Sequence, residues 1–235
     1  MTIPATPKLV PTIAVVFARL GPYHLARLRG AASVLGRAGV GLAAISVAGT
    51  DRTYAWDRVE DAGICPTHLL FPDQRYEDIP PALLARRMEE CLDAIRPCAV
   101  ALPGWVFPEA LSGLEWCART RTAAVLMSES SRHDHMRIWL REWFKRNRGR
   151  RFRSALVGGH WHYEYARQLG LPRAAIFTGY DAVDNDYFRA GADQARAEGE
   201  ALRSRLRLPA RYVLTSSRFV RVKNIDGLLK GYAQY

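Results

Sequence analysis

The densest group of chemically capable side chains in this sequence is the segment SESSRHDH, from Ser128 to His135. It follows the apolar run TAAVLMS at 122–128, which is typical of a buried strand. Carboxylate and imidazole groups in this position could act as a general base or orient substrate hydroxyls. Two alternatives remain. The serines and Asp134 could cap a polar loop, and the histidines with Asp134 could hold a metal, although this spacing is a weak metal signal.

A turn with a glycine follows the first apolar run of the chain and reads RLGPYH, from Arg19 to His24. Glycine lets a ligand approach the backbone closely, and the helix N-terminus beside it favours an anion. The alternative is a tight strand-to-helix turn with no ligand. A dinucleotide fingerprint, G-x-G-x-x-G, does not occur here.

Two further strand ends carry candidate binding residues. Gly104 and Trp105 follow the apolar run at 98–103, and the indole could stack on a sugar or a base, although a core tryptophan is the favoured interpretation. Gly158-Gly159-His160 follows the run at 154–158 and is another possible site of close backbone approach, on a weak signal.

Two basic residues near the C-terminus, Arg218 and Lys223, lie at the end of a predicted strand and just before a predicted helix. A guanidinium fork, a point charge and free N–H groups together suit a diphosphate. Judged by residue types alone, two surface charges are the simpler interpretation.

The segment MRIWLREWFKRNR predicts a basic amphipathic helix over about 135–148. Its basic residues recur at three- and four-residue spacing, which puts them on one face, with tryptophans among the others. This pattern suits an anionic membrane surface. An ordinary helix that buries its aromatic residues against a sheet is the slightly favoured alternative. The basic residues concerned are Arg137, Arg141, Lys145 and Arg148.

The elements that would position these residues alternate between strand and helix about six times. The strands are near-continuous apolar runs, which are buried on both faces, so the sequence predicts an α/β fold with a doubly wound parallel sheet. Ligands of such sheets bind beyond the carboxyl ends of the strands. The charged, alanine-rich stretch at 189–210 is the predicted domain boundary, and a new strand is predicted at 211–217.

The charge of the whole chain limits its partners. A formal charge of +11 and a pI near 9.9 predict anionic ones, and residues 132–153 hold nine of the 34 basic residues. The four cysteines form no C-x-x-C pair and are expected to be free thiols. No apolar run reaches membrane-spanning length, and no signal-peptide cleavage site follows the first strand, so we expect a cytoplasmic protein.

Several motifs, taken in order, resemble the retaining nucleotide-sugar glycosyltransferases of family 4, which have the GT-B fold of two facing Rossmann-like domains. LTSSRFVRVKNIDGLLKGYAQY resembles their strand-arginine-x4-lysine-helix segment, which opens the donor-binding domain. IFTGYDAVDNDYF resembles their N-G-V-D-x-x-x-F signature near the domain crossover, and SALVGGHWHYEYARQLGLP the strand and helix before it. The residues that match the crossover signature are Gly179, Val183, Asp184 and Phe188.

The resemblance implies transfer of a sugar from a nucleotide-sugar to an acceptor with retention, and it requires no metal or other cofactor. Arg218 and Lys223 map onto the residues that contact the donor diphosphate. Many members have a histidine after the strand that matches 122–128, where Glu129 is the nearest catalytic candidate. The acceptor, a carbohydrate or lipid-linked molecule, would contact the first domain through Gly21, Tyr23, His24, Trp105 and His133.

The predicted domains are an acceptor-side domain at 1–190, a linker at 191–210 and the incomplete start of a donor-binding domain at 211–235. The acidic donor motif of the family would lie beyond Tyr235, so we expect a truncated or split enzyme with little activity alone. A non-catalytic module that docks on an anionic membrane or a partner glycosyltransferase is the alternative, peripheral at the inner membrane surface. No nucleic-acid module accompanies the basic residues, so we expect no nucleic-acid partner.

Overall fold

The computed structural model describes residues 10–53, 59, 63–133 and 139–234 of the chain. Seven strands and seven α-helices lie in these ranges. The strands are β1 Thr12–Phe17, β2 Gly41–Thr50, β3 Thr67–Arg75, β4 Ala99–Pro103, β5 Ala123–Ser128, β6 Ser154–Val157 and β7 Ile176–Thr178. The helices are α1 Pro22–Arg37, α2 Pro81–Ile95, α3 Pro108–Thr120, α4 Trp139–Gly149, α5 His160–Gln168, α6 Asn185–Arg205 and α7 Ile225–Gln234.

All seven strands form one sheet in the order β3-β2-β1-β4-β5-β6-β7, and every neighbouring pair is parallel. The prediction of an α/β fold with a doubly wound parallel sheet is therefore confirmed. The direction of strand addition reverses between β1 and β4, which is the topological switch point where such sheets bind ligands.

Both faces of the sheet are covered, which explains why its strands read as apolar runs. Along β2 every residue from Leu42 to Gly49 is buried. Ala44 and Ile45, which are adjacent in β2, belong to different apolar clusters, one on each face of the sheet. This follows because successive side chains of a strand point to opposite faces. Proline occupies the first position of α1, α2 and α3, where its fixed φ suits a helix start and its missing N–H costs nothing.

The chain divides into two compact units, one that ends at Asp184 and one that begins at Asn185. The second unit contains α6 and α7, and neither helix has a buried residue. Helix α6 covers residues 191–205 of the predicted linker and begins earlier than the helical stretch predicted from 189. It is broken at Gly199, where φ is 47°.

The strand predicted at 211–217 is absent from the structure, where these residues have no regular secondary structure. A strand is defined by the ladder hydrogen bonds it makes with a neighbour. None of the described residues forms such a neighbour for this segment, because all the ladders join strands of the first unit. No helix within the described ranges is long and apolar enough to cross a membrane.

Candidate functional site

The carboxyl ends of β5, β6 and β7 bring together groups that are far apart in the sequence. Glu129 follows β5, Gly158 follows β6 and Asp181 lies just after β7. Arg27, from α1, reaches the same place and makes an ion pair with Asp181 at 3.8 Å, Nη2 to Oδ1. The sheet order β5-β6-β7 explains this meeting, since the ends of adjacent parallel strands share one edge.

Glu129 and Asp181 form a hydrogen-bonded carboxyl pair. Partial burial, the hydrogen bond with Asp181 and the negative charge of Asp181 raise the pKa of Glu129 to about 7, and the positive charge of Arg27 opposes them. Two carboxyl groups this close cannot both ionise without repulsion, so the pair keeps one proton up to about pH 7. At neutral pH the carboxyl of Glu129 can therefore donate or accept a proton, as general acid–base chemistry requires.

Arg27 fixes the geometry around the pair. Its Nε donates a hydrogen bond to the carbonyl of Ala182 at 3.1 Å, and its guanidinium lies 4.6 Å from the centre of the Tyr180 ring. Burial, the largest cause, raises the pKa of Tyr180, and the carboxylates of Glu129 and Asp181 add to this effect while Arg27 opposes it. The phenol is therefore a neutral hydrogen-bonding group at the site.

Gly158 makes room for the carboxyl pair because it has no side chain. A Cβ atom at this position would collide with Oδ2 of Asp181 and would lie 3.1 Å from Nδ1 of His162, a buried atom that has no hydrogen-bond partner among the described residues. Next to it lies an open cleft of about 500 Å³, lined by Gly158, Gly159, His160, Tyr163, Thr178 and Gly179. Gly158 therefore lies beside both the cleft and the carboxyl group of Asp181.

The loop after β1 is held by internal contacts. Nδ1 of His24 accepts a hydrogen bond from the N–H of Gly21 at 3.0 Å, and its ring stacks on Phe17 at 4.4 Å. Burial, followed by the charge of Arg27, lowers the pKa of His24 to about 4, so the imidazole is neutral at pH 7 and its Nε2 carries the proton. Tyr23 is exposed on this loop.

The two remaining acceptor-side candidates lie in very different environments. Trp105 is only 4% exposed, and its ring packs edge-on against Tyr165 in the core, as the core-tryptophan interpretation requires. The structure therefore does not bring Trp105 to the cleft. His133 is exposed, and its ring meets Trp161 at 5.2 Å.

Helix α4 presents a different face from the one its basic spacing predicts. Lys145 donates to Glu142 and to Tyr165, and Arg148 donates to the carbonyl of Trp105, so both point toward the body of the domain. The aromatic residues Trp143 and Phe144 are exposed, at 55% and 49%. Arg137 lies outside the described residues, as do Asp134 and His135.

Arg218 and Lys223 lie on the surface of the second unit. Lys223 ends a short 3-10 turn, Arg221–Lys223, and α7 begins two residues later. The basic residues are followed by a helix, as predicted, but the strand predicted before them at 211–217 is not formed. Within the ranges that the structure describes, no three His, Cys, Asp or Glu side chains gather in a way that could hold a metal ion.

Sequence reasoning found Glu129 and the Gly158-Gly159 pair, but it missed Arg27, Asp181 and Trp161. A signal for Asp181 existed, because it follows the seventh strand, and candidate residues had been sought at the ends of four of the other six strands. For Arg27 there was none, since it lies in the second turn of a helix and reaches the site through the length of its side chain.

No protein-family model and no curated protein matches this sequence. The fold, however, is similar to solved structures. HepE from Anabaena, in complex with UDP and glucose, aligns with a TM-score of 0.62 at 13% identity and covers 95% of this chain and 58% of its own. UDP-N-acetylglucosamine 2-epimerase from Rickettsia bellii aligns with a TM-score of 0.55 at 16% identity, over 95% of this chain and 60% of its own.

The same enzyme from Neisseria meningitidis, bound to UDP-GlcNAc, has a TM-score of 0.55 at 9% identity, over 95% and 64% of the two chains. This chain thus spans less than two thirds of each of the three structures. At such identities the likeness shows the fold alone, a GT-B-like one found in proteins that bind UDP or UDP-sugars. It does not single out the family 4 transferases.

Proposed function

We propose that this chain belongs to an enzyme that transfers a sugar from a nucleotide-sugar to an acceptor, with retention at the anomeric carbon. The observation that carries the proposal is the carboxyl pair of Glu129 and Asp181 at the ligand-binding edge of the sheet. The fold, which is similar to proteins bound to UDP and UDP-GlcNAc, and the motif order of the sequence support it.

In the proposed reaction the bond between the anomeric carbon and the diphosphate oxygen breaks, and the acceptor oxygen bonds to that carbon and loses its proton. Glu129, as the catalytic residue, would hold the acceptor hydroxyl and receive or relay this proton. Negative charge grows on the leaving diphosphate, and Arg218 and Lys223 would stabilise it. Gly21, Tyr23 and His133 would contact the acceptor, and His24 would hold its loop.

Nucleotide binding tests the donor-side assignment. UDP should bind the full chain in calorimetry, and Arg218→Ala and Lys223→Ala should each weaken it about tenfold, as expected for the loss of a charge-assisted phosphate contact. Lys230→Ala, which removes an exposed lysine of α7, is the matched control and should bind UDP normally. Equal UDP affinity in all four proteins would overturn the assignment.

The reaction class can be read from product analysis in D₂O. A retaining transferase slowly releases the sugar of UDP-GlcNAc or UDP-glucose to water with its anomeric configuration kept, and Glu129→Gln should slow this release about 100-fold. Glu115→Gln is the control. Deuterium at C2 of the sugar, without release, would instead show the chemistry of a 2-epimerase, the activity for which two of the similar structures are named.

A second candidate function is a non-catalytic module that docks on an anionic membrane surface, which would make the protein peripheral in the cytoplasm. The exposed aromatic pair Trp143 and Phe144, with Arg146 beside it, favours this candidate. Vesicles with anionic lipid should retain the chain but lose the Trp143→Ala/Phe144→Ala variant. Binding that stays the same in this variant would remove the candidate.

A further inference from the structure

Trp161 is a large aromatic residue that the fold keeps on the surface. It lies in the first turn of α5, directly after Gly158, Gly159 and His160, and 63% of it is exposed. The two glycines before it have no side chains that could cover the indole. Most of the ring is therefore open to a ligand.

Two imidazole rings hold the indole in place. His133, from the loop after β5, meets it edge-on at 5.2 Å with an angle of 86° between the ring planes. His160 meets it at 5.6 Å and 65°. Edge-to-face contacts of this kind fix the orientation of an aromatic ring. We call Trp161, His133 and His160 the aromatic trio.

The aromatic trio adjoins the cleft and, through it, the carboxyl pair. His160 belongs to the trio and also lines the cleft of about 500 Å³. Gly158 also lines the cleft, and the carboxyl of Asp181 lies where a side chain of Gly158 would be. A ligand that contacts Trp161 and enters the cleft would therefore come near the carboxyl pair.

We propose that the aromatic trio binds a pyranose ring of the acceptor. This inference rests on the proposed function and narrows the acceptor to a molecule that carries a sugar. One face of a pyranose is formed by C–H groups, which suit an indole face, and burying both removes apolar surface from water. The hydroxyl groups around the ring need polar partners, which the imidazole nitrogens of His133 and His160 and the cleft backbone provide.

A nucleobase is the main competing occupant, because it also stacks on indole. It would carry its phosphates into the same cleft, whose described lining contains no arginine or lysine to pair with them. The lining therefore favours an uncharged sugar over a nucleotide at this position.

Saturation-transfer NMR on the full chain tests the proposal with two probes, methyl β-D-glucopyranoside and methyl N-acetyl-β-D-glucosaminide. At least one glycoside should receive saturation on its ring protons, with a dissociation constant in the range of ~1–50 mM that single-ring ligands reach. Trp161→Ala should weaken this binding about tenfold, and Trp161→Phe, which keeps an aromatic face, should retain most of it. Trp143→Ala removes another exposed indole and should leave glycoside binding unchanged.

Three results would overturn the proposal: no saturation of either glycoside, equal binding by wild type and Trp161→Ala, or uridine binding that Trp161→Ala removes while glycoside binding stays. Thermal melting of each variant confirms that the exposed substitution leaves the fold intact. The UDP measurements with Arg218→Ala and Lys223→Ala are separate. Glycoside binding without UDP binding would support the sugar site at the aromatic trio and refute the donor-side assignment. UDP binding without glycoside binding would support the donor-side assignment and refute the sugar site.

Discussion

At the scale of single residues, the site depends on how Asp181 controls the proton of Glu129. Asp181→Asn removes a negative charge and a shared hydrogen bond, so the pKa of Glu129 should fall from about 7. It should not reach its ordinary value, because partial burial, the largest cause, remains. Carboxyl-carbon NMR titration measures this. Asp184→Asn removes a carboxylate that pairs with Arg29 and should leave the titration of Glu129 in place. An unchanged pKa in Asp181→Asn would show that the two carboxyl groups are not coupled.

The free energy of unfolding should depend on pH because of the same proton on Glu129. Between pH 4.5, the ordinary pKa of glutamate, and about 7, the folded chain binds a proton at Glu129 that the unfolded chain has lost. The free energy of unfolding from this group therefore falls as pH rises through that window. Glu129→Gln should remove the fall, so its stability relative to wild type should rise from pH 4.5 to 7 in denaturant titrations.

Glu115→Gln is a control for which the expected pH dependence of stability has the opposite sign. The hydrogen bond from Arg151 holds the pKa of Glu115 low, so this pair contributes stability that is lost as pH falls toward the acid range. Glu115→Gln should therefore cost stability at neutral pH and little in acid. If both variants showed the same pH trend, the environment assigned to Glu129 would be wrong.

Gly158 is the other residue on which the site depends. Gly158→Ala places a methyl group against the carboxyl of Asp181, which must move and weaken its contact with Glu129. We expect the pKa of Glu129 to fall, as we also expect for Asp181→Asn. In Gly159→Ala the methyl group meets nothing within 4 Å, and the extended φ of 179° suits any residue, so the titration should not change. NMR titration of both variants separates crowding from a general effect of losing glycine.

At the scale of elements, α4 and α5 are joined by a partly buried polar network. The hydroxyl of Tyr165 accepts a hydrogen bond from Lys145 at 3.0 Å and donates one to Glu142 at 3.0 Å. Tyr165→Phe should cost about 1–2 kcal/mol of unfolding free energy, because a half-buried ion pair loses its shared partner. Tyr163→Phe, on the same helix, loses only a 3.4 Å surface bond to the carbonyl of Arg173 and should change little. Chemical denaturation compares them, and equal costs would argue against the network.

Much of the fold could be predicted from the elements, and some of the site could not. Apolar runs such as 122–128 predict a strand, because a strand that is buried on both faces of a sheet has apolar residues throughout. The segment 211–217 also contains an apolar run, Tyr212–Leu214, yet forms no strand, since pairing depends on neighbours that a single segment does not reveal. The spacing of α4 placed Lys145 and Arg148 on one face correctly, but it could not show that Glu142, Tyr165 and a carbonyl would draw that face inward.

Some residues of the site could likewise be predicted from the sequence, and others could not. Position after a strand was enough to select Glu129, whereas its partner Asp181 depends on the β6–β7 neighbourhood and on the space left by Gly158. Trp105 directly follows Gly104, and Trp161 lies two residues after Gly159, each near a strand end. Trp105 is nevertheless buried and packs against Tyr165, whereas Trp161 is exposed.

At the scale of the whole molecule, the two units should differ in local stability. Helix α3 has seven buried residues, whereas α6 and α7 have none. Hydrogen exchange of the full chain should therefore be slow in the central strands and α3 and much faster in α6 and α7, because few apolar contacts oppose local opening. Protection of α6 equal to that of α3 would contradict this picture.

The two outer strands of the sheet bear on how copies of the chain behave in concentrated solution. β7 has only three residues, and β3 contains Pro72, which has no N–H to offer a neighbouring strand. Short or proline-bearing borders are poor templates for another sheet, and a formal charge of +11 makes copies repel one another. The first unit is thus protected against edge-to-edge aggregation by features that have no part in its chemistry.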